Sequence, residues 1–166
     1  MALYIDSAFL NDIMNVTRTV PLAGVTTNPS ILLAARERGQ DLSPQGVLDA
    51  LLRSTVGSIF MQPGASDEEE MLAEALAYIQ TAPNRVIPKI PMTHTGMRVA
   101  RRLKQQQQSI AFTAVTSVAQ AYSAAMPRPI SLFPTTGAWN VQVSMQAGES
   151  PRWQTCCTML TCQHIF

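Results

Sequence analysis

From residue 3 to residue 126 this chain repeats one unit: a short apolar run, a turn, then a stretch with helical spacing. Leu3-Tyr4-Ile5 reads as a strand ending at Asp6. Residues 8 to 17 follow as a helix with Phe9, Leu10, Ile13, Met14 and Val16 on its apolar side. Leu22 to Thr27 is a second strand. Asn28-Pro29 then opens a helix, because proline suits a first turn, and Ser43-Pro44 opens another. Ser58 to Gln62 is a third strand, closed by Pro63-Gly64. Ser66-Asp67-Glu68-Glu69 has the pattern of a capping box, Ser66 paired with Glu69, for a helix that reaches about Gln80. The acidic cluster there suits the positive end of the helix dipole better than it suits a cation site. Val86 to Ile90 is the fourth strand, followed by a helix from His94 to Gln105. Ile110 to Val115 is the fifth, and Ser117 to Gln120 opens a helix ending near Met126.

Strict alternation of strand and helix calls for a parallel sheet with helices packed outside it. Strands that are apolar throughout fit that arrangement, since both faces are covered. A doubly wound sheet and a closed barrel both satisfy the pattern. The polar residues favour the barrel. Asp6, Thr26 with Thr27, Gln62, Lys89 and Thr113 stand at or near the C-terminal ends of five successive strands. A (β/α)8 barrel gathers such ends at one mouth, where an open sheet would spread them apart. Taken singly, each is an ordinary polar group at a turn.

Lys89 is one of only two lysines, and its neighbours in Val86-Ile87-Pro88-Lys89-Ile90-Pro91 carry no charge. A lysine in that setting is expected to face a core or a cleft. Burial disfavours its ammonium form and lowers its pKa, and a neutral amine in an apolar pocket attacks carbonyls. The plainer alternative is a strand-end lysine whose head snorkels to water. Lys104, beside Arg101, Arg102 and four glutamines, belongs in solvent.

Other chemistries find less support. At 166 residues the chain is expected to be a single domain with a real core. A net charge of +1 gives no electrostatic case for nucleic acid or an acidic membrane surface. No apolar run approaches bilayer length. The opening residues lack a signal-peptide pattern, so the cytoplasm is the expected compartment. Neither G-x-G-x-x-G nor the phosphate loop of nucleotide binders is present. Cys156, Cys157, Cys162 and His164 lack the paired Cys-x2-Cys spacing of structural zinc sites, so free thiols and no metal are expected. The histidines are His94 and His164 alone, which leaves little for a serine triad; His94 is expected to be exposed in a first helical turn.

After Met126 the rhythm stops. Residues 127–166 carry only Arg128, Glu149 and Arg152 as charges, hold both tryptophans and all three cysteines, and have turn signals at Pro134-Thr135-Thr136-Gly137 and Gly148 to Pro151. Pro127-Arg128-Pro129 blocks the preceding helix. Short strands are conceivable near 130–133 and 141–145. The expected organisation is therefore a partial barrel over 1–126 and an atypical tail over 127–166, with a reading-frame shift or chimeric junction near 126 as the hypothesis for its origin.

Several segments resemble the small transaldolase and fructose-6-phosphate aldolase family. Leu3-Tyr4-Ile5-Asp6-Ser7-Ala8 is similar to its opening strand. Ala23-Gly24-Val25-Thr26-Thr27-Asn28-Pro29-Ser30 is similar to its most distinctive signature. Lys89-Ile90-Pro91-Met92-Thr93 resembles its Schiff-base segment, and Thr113-Ala114-Val115 with Ser117 to Ala121 its fifth strand and following helix. The resemblance covers residues 1–126. It implies a (β/α)8 barrel without metal or organic cofactor. It also implies that Lys89 forms an imine with a ketose phosphate or dihydroxyacetone, with Asp6 transferring the proton. Gln62 and Thr113 would orient a catalytic water; Thr26, Thr27 and Asn28 would contact the dihydroxyacetone portion or support the lysine. Gln62, where transaldolases usually carry glutamate, and Ala111, where they usually carry asparagine, favour the aldolase branch over a transaldolase. Pro88 before the lysine departs from the family pattern. So does the tail, in which the phosphate contacts of later strands are not found. Five βα units are expected to leave an open barrel edge, the family's homo-oligomer becomes doubtful, and an inactive fragment is the competing reading.

Overall fold

The structure, a computed structural model, describes residues 2–126 with their side chains and the backbone of 131–136, 139–144 and 154–161. Five βα units come first. β1 (Tyr4–Asp6) leads to α1 (Leu10–Thr17), and β2 (Gly24–Thr26) to α2 (Pro29–Glu37) and α3 (Pro44–Ser54). β3 (Ser58–Met61) precedes α4 (Glu68–Thr81), β4 (Val86–Pro91) precedes α5 (His94–Gln105), and β5 (Ala111–Val115) precedes α6 (Val118–Ala125). Neighbouring strands from β1 to β5 pair in parallel. This is the expected (β/α)8-family architecture cut to five units.

The expected open edge is not found. β6 (Ser131–Thr136) pairs in parallel with β5, β7 (Trp139–Ser144) is antiparallel to β6, and β8 (Gln154–Thr161) is antiparallel to β7 and parallel to β1. The ring is closed. The expectation failed because it counted βα units, whereas closure requires only strands: β6 to β8 bring the missing ladder partners. β6 runs through Pro134, Thr135 and Thr136, where a turn was expected, and β8 had no forecast. The expected breaks at Pro127-Arg128-Pro129 and Gly148 to Pro151 lie outside the described residues, as do Cys162 and His164.

Side-chain alternation sorts the strands into two layers. Ile5, Val25, Ile59 and Met61 face outward onto Ile13, Val47, Leu48 and Leu51. Ile90 and Phe112 face outward onto Ala75, Ile79, Val99 and Leu103. The opposite parity points into the bore, where Phe60, Ile87 and Ala111 cluster with Tyr4 packed against them. The rings of Tyr4 and Phe60 meet edge to face with centroids 5.5 Å apart. This apolar plug floors the barrel, and the next inward residue on each strand looks out of its mouth.

Caps fix where the helices start. Asn28, Ser43, Thr93 and Ser117 each accept a backbone N–H with the side chain at an N-cap. For α4 the cap is Asp67, which accepts from the N–H groups of Glu69 and Glu70, and not Ser66 as the serine–glutamate spacing suggested. Carboxylate and hydroxyl are adjacent there, and the ionised group is the stronger acceptor. Glu68 and Glu69 pair with Arg98 and Arg102 of α5, so the acidic cluster is spent on the seam between two helices.

Candidate active site

The site assembles by strand parity. Asp6 on β1 stands in register with Thr26 on β2, and Thr26 with Phe60 on β3. Lys89 sits two residues above Ile87, the bore-facing residue of β4 paired with Phe60. The lysine therefore rises directly above the apolar plug. Its side chain is 3 % exposed, and its Nζ donates to Thr26 Oγ1 at 2.8 Å. The Thr26 hydroxyl in turn hydrogen-bonds the Asp6 carboxylate. Amine, hydroxyl and carboxylate thus form one chain across three strands.

The charges are tuned by burial against mutual attraction. Loss of water lowers the Lys89 pKa from 10.5 to about 8, and the Asp6 carboxylate opposes that shift. Burial raises the Asp6 pKa above its ordinary 3.8; the Lys89 charge and the Thr26 hydroxyl pull it back down. Desolvation dominates in both groups, as it does where polar residues stand over a hydrophobic floor. One Asp6 oxygen, Oδ1, is buried with no hydrogen-bond partner among the described residues. A buried carboxylate oxygen without a donor is an exception that calls for a reason beyond packing.

The other forecast residues divide. Gln62 follows β3 and is half-buried; alternation places it on the bore side, two residues beyond Phe60. Thr113 on β5 is also half-buried and follows Ala111 on the bore-facing parity. Just after it the pairing with β6 shifts register, and Ala114 adopts φ 58°. Such a bulge re-aims the strand end at the mouth, and an alanine holds that left-handed conformation only at a cost. Thr27 is fully buried, and the alternation that turns Thr26 inward turns it toward the helices. Its N–H donates to Phe60 O at 3.0 Å, while its Oγ1 has no partner among the described residues. The Asn28 side-chain oxygen accepts from Ile31 N–H at 2.9 Å as the cap of α2. Neither Thr27 nor Asn28 joins the hydrogen-bonded chain at Lys89.

Pro88 does not displace the lysine. β4 pairs with β3 up to Met61↔Pro88 and with β5 from Lys89↔Ala111 onward. The proline sits where the ladder passes from one neighbour to the other, and the strand stays continuous through it. Ser7 was not singled out from the sequence. It is buried, its N–H donates to Thr26 O at 3.1 Å, and its Oγ accepts from Phe9 N–H at 3.1 Å. Its place directly after the strand-end aspartate was the signal available. His94 is exposed at the start of α5, beside Arg98. No group of three or more His, Cys, Asp or Glu able to hold a metal occurs among the described residues, and no helix there is long and apolar enough to cross a membrane.

A family model described as Transaldolase/Fructose-6-phosphate aldolase matches residues 3–135. The match takes in all five βα units and the start of β6, nearly to its end. A closed barrel whose first five strands run parallel and converge on a buried amine, together with that match over most of the sequence, means that the chain belongs to the transaldolase/fructose-6-phosphate aldolase family.

Proposed function

We propose that this protein is a Schiff-base aldolase of the fructose-6-phosphate aldolase type, acting on ketose phosphates or on dihydroxyacetone. The observation that carries the reading is the buried Lys89 amine donating to Thr26 beside the Asp6 carboxylate; burial there lowers its pKa to about 8. A pKa in that range leaves a useful fraction of neutral nucleophile near neutral pH.

The chemistry then runs in order. The Lys89 nitrogen adds to the keto carbon. The carbinolamine loses water to give an iminium. Asp6 takes the proton of the hydroxyl next to the scissile carbon–carbon bond. The bond's electron pair moves into the iminium to form an enamine, and an aldehyde leaves. Protonation of the enamine carbon regenerates an iminium, and water releases the product. Gln62 and Thr113 are assigned to that water, and Thr26 to carrying the proton between Asp6 and Lys89. Thr27 and Asn28 support the strand end and the cap of α2 behind the site. Gln62 in place of a carboxylate favours the aldolase over the transaldolase reaction, because a neutral amide holds water without competing with Asp6 for protons.

Sodium borohydride in the presence of dihydroxyacetone or fructose 6-phosphate tests the assignment. The expected result is a reduced adduct at Lys89 found by peptide mass mapping. A folded sample with no adduct would make the inactive-fragment reading the better one.

We also propose that the residues beyond the family match, which ends at residue 135, differ in origin from the barrel before them, through a frame shift. The loss of βα rhythm there supports it. The DNA beyond codon 135, read in three frames, is expected to resume that rhythm in a frame other than the translated one. If no frame resumes it, the proposal fails.

A further inference from the structure

The connection from β2 to β3 carries two helices where one would complete the unit. α3 takes the ordinary place in the outer layer, since it packs on both α1 and α4. α2 instead ends against the first residues after β1. Gly39, at φ +87°, makes this possible. Its N–H donates to Arg36 O at 3.0 Å and the Gln40 N–H to Ala35 O at 3.1 Å, the pairing that closes a helix and reverses the chain.

Two side chains leave that turn for the β1–α1 loop. Gln40 Nε2 donates to Ala8 O at 2.7 Å, and Gln40 Oε1 accepts from Leu10 N–H at 2.9 Å. One amide thereby satisfies two backbone groups of a buried turn, as a neighbouring strand would. The Arg38 guanidinium lies 3.7 Å from the Phe9 ring centroid and donates to Asp12 Oδ2 at 2.7 Å. The loop so held begins at Asp6.

We propose that Gln40 is a positioning residue for Asp6, and that the C-terminal turn of α2 is a strut aiming the carboxylate at the Lys89 side of the mouth. Asp6 is held through its side chain by the Thr26 hydroxyl and through its backbone by the β1 ladder, which ends there; its Oδ1 has no partner among the described residues, so the turn that follows also bears on its direction. Small errors in such placement are costly for proton transfer. The kinetic consequence rests on the aldolase reading; the geometric one does not.

The test uses the full chain with Gln40→Leu, which keeps the volume and removes both bonds. Arg38→Ala loosens the same loop without leaving a buried backbone group unpaired. The first readout is the 13C titration of the Asp6 carboxyl in the free protein. Its midpoint is expected to fall toward the ordinary carboxylate value as water reaches a loosened loop. The second is turnover: kcat for bond cleavage is expected to drop about 10-fold with KM changed less than about 3-fold, while borohydride trapping at Lys89 stays within about 2-fold of the parent. An unchanged Asp6 titration in folded Gln40→Leu overturns the inference. If Gln40→Leu does not fold, the Arg38→Ala titration decides alone by the same criterion. A parent protein that borohydride fails to trap defeats the aldolase reading, while the titration still decides the strut.

Discussion

Thr26 hydrogen-bonds both ionisable groups of the site, which also attract each other directly, and its 2.8 Å contact with Lys89 fixes the amine whose behaviour is testable. Trapping of Lys89 as an imine should rise with pH around a midpoint near 8, because only the neutral amine attacks. Asp6→Asn removes the charge that props up the ammonium form. The midpoint should therefore move lower still, and bond cleavage should fall by about 100-fold or more. A midpoint that stays put would mean the carboxylate is not felt at Lys89. Lys89→Arg should abolish trapping altogether, since guanidinium keeps its proton. Stability carries the same signature. Folded Lys89 releases its proton near 8 and the unfolded lysine near 10.5, so the unfolded chain holds more protons between those values and stability rises with pH there. Asp6 acts oppositely. Its folded pKa lies above 3.8, so stability falls as pH climbs from 3.8 through the raised value. Denaturant melts of the parent and Lys89→Met between pH 7 and 10.5 should diverge in slope; parallel curves would contradict the buried amine.

At the level of the element, what could be read depended on whether the signal was local. Asn28-Pro29, Ser43-Pro44 and Ser117 announced where their helices start, and there the cap's hydrogen bond spans only three residues. Lys89 was legible because a charge amid Ile, Val and Pro has few places to go. The bulge at Ala114 was not legible, since it arises from register with a strand that lies beyond α6. The rim position of α2 was equally hidden: spacing announces a helix but not the direction in which it leaves a barrel. Gly24 illustrates a constraint of the same non-local kind. A Cβ there would lie 2.0 Å from Ser58 O across the β2–β3 ladder. Gly24→Ala must push apart the strand that carries Thr26 and the strand before Gln62. A loss of about 3 kcal/mol or more is expected in a urea melt. Asp67→Ala, which removes only an exposed cap on α4, should cost distinctly less in the same melt. Comparable losses from the two substitutions would mean that β2 yields more easily than its close approach to β3 implies.

For the molecule as a whole, closure of the ring is the step that pattern reading missed, and it places the greatest demand on the last forty residues. Five parallel strands end in two unpaired edges, β1 on one side and β5 on the other. β8 covers the first by pairing Tyr4 to Asp6 with Met159 to Thr161, and β6 covers the second by pairing Ala111 to Thr113 with Ser131 to Phe133. Asp6 and Thr113, at opposite flanks of the five-unit sheet, are thus both braced from the tail. Composition gave no hint of this, because closure depends on backbone groups, which are the same in every residue. A chain ending at Met126 should therefore lose more than its tail. Its bare edges should drive association, and its far-ultraviolet melt should broaden, because strands β1 and β5 no longer share a cooperative ring. Lys89 should also become more accessible to water. Its pH midpoint for trapping should then climb from about 8 toward 10.5 even where helices persist. If the shortened chain stays monomeric, melts as sharply as the parent and keeps the parent's midpoint, the five units alone hold the site, and β6 to β8 are dispensable to it.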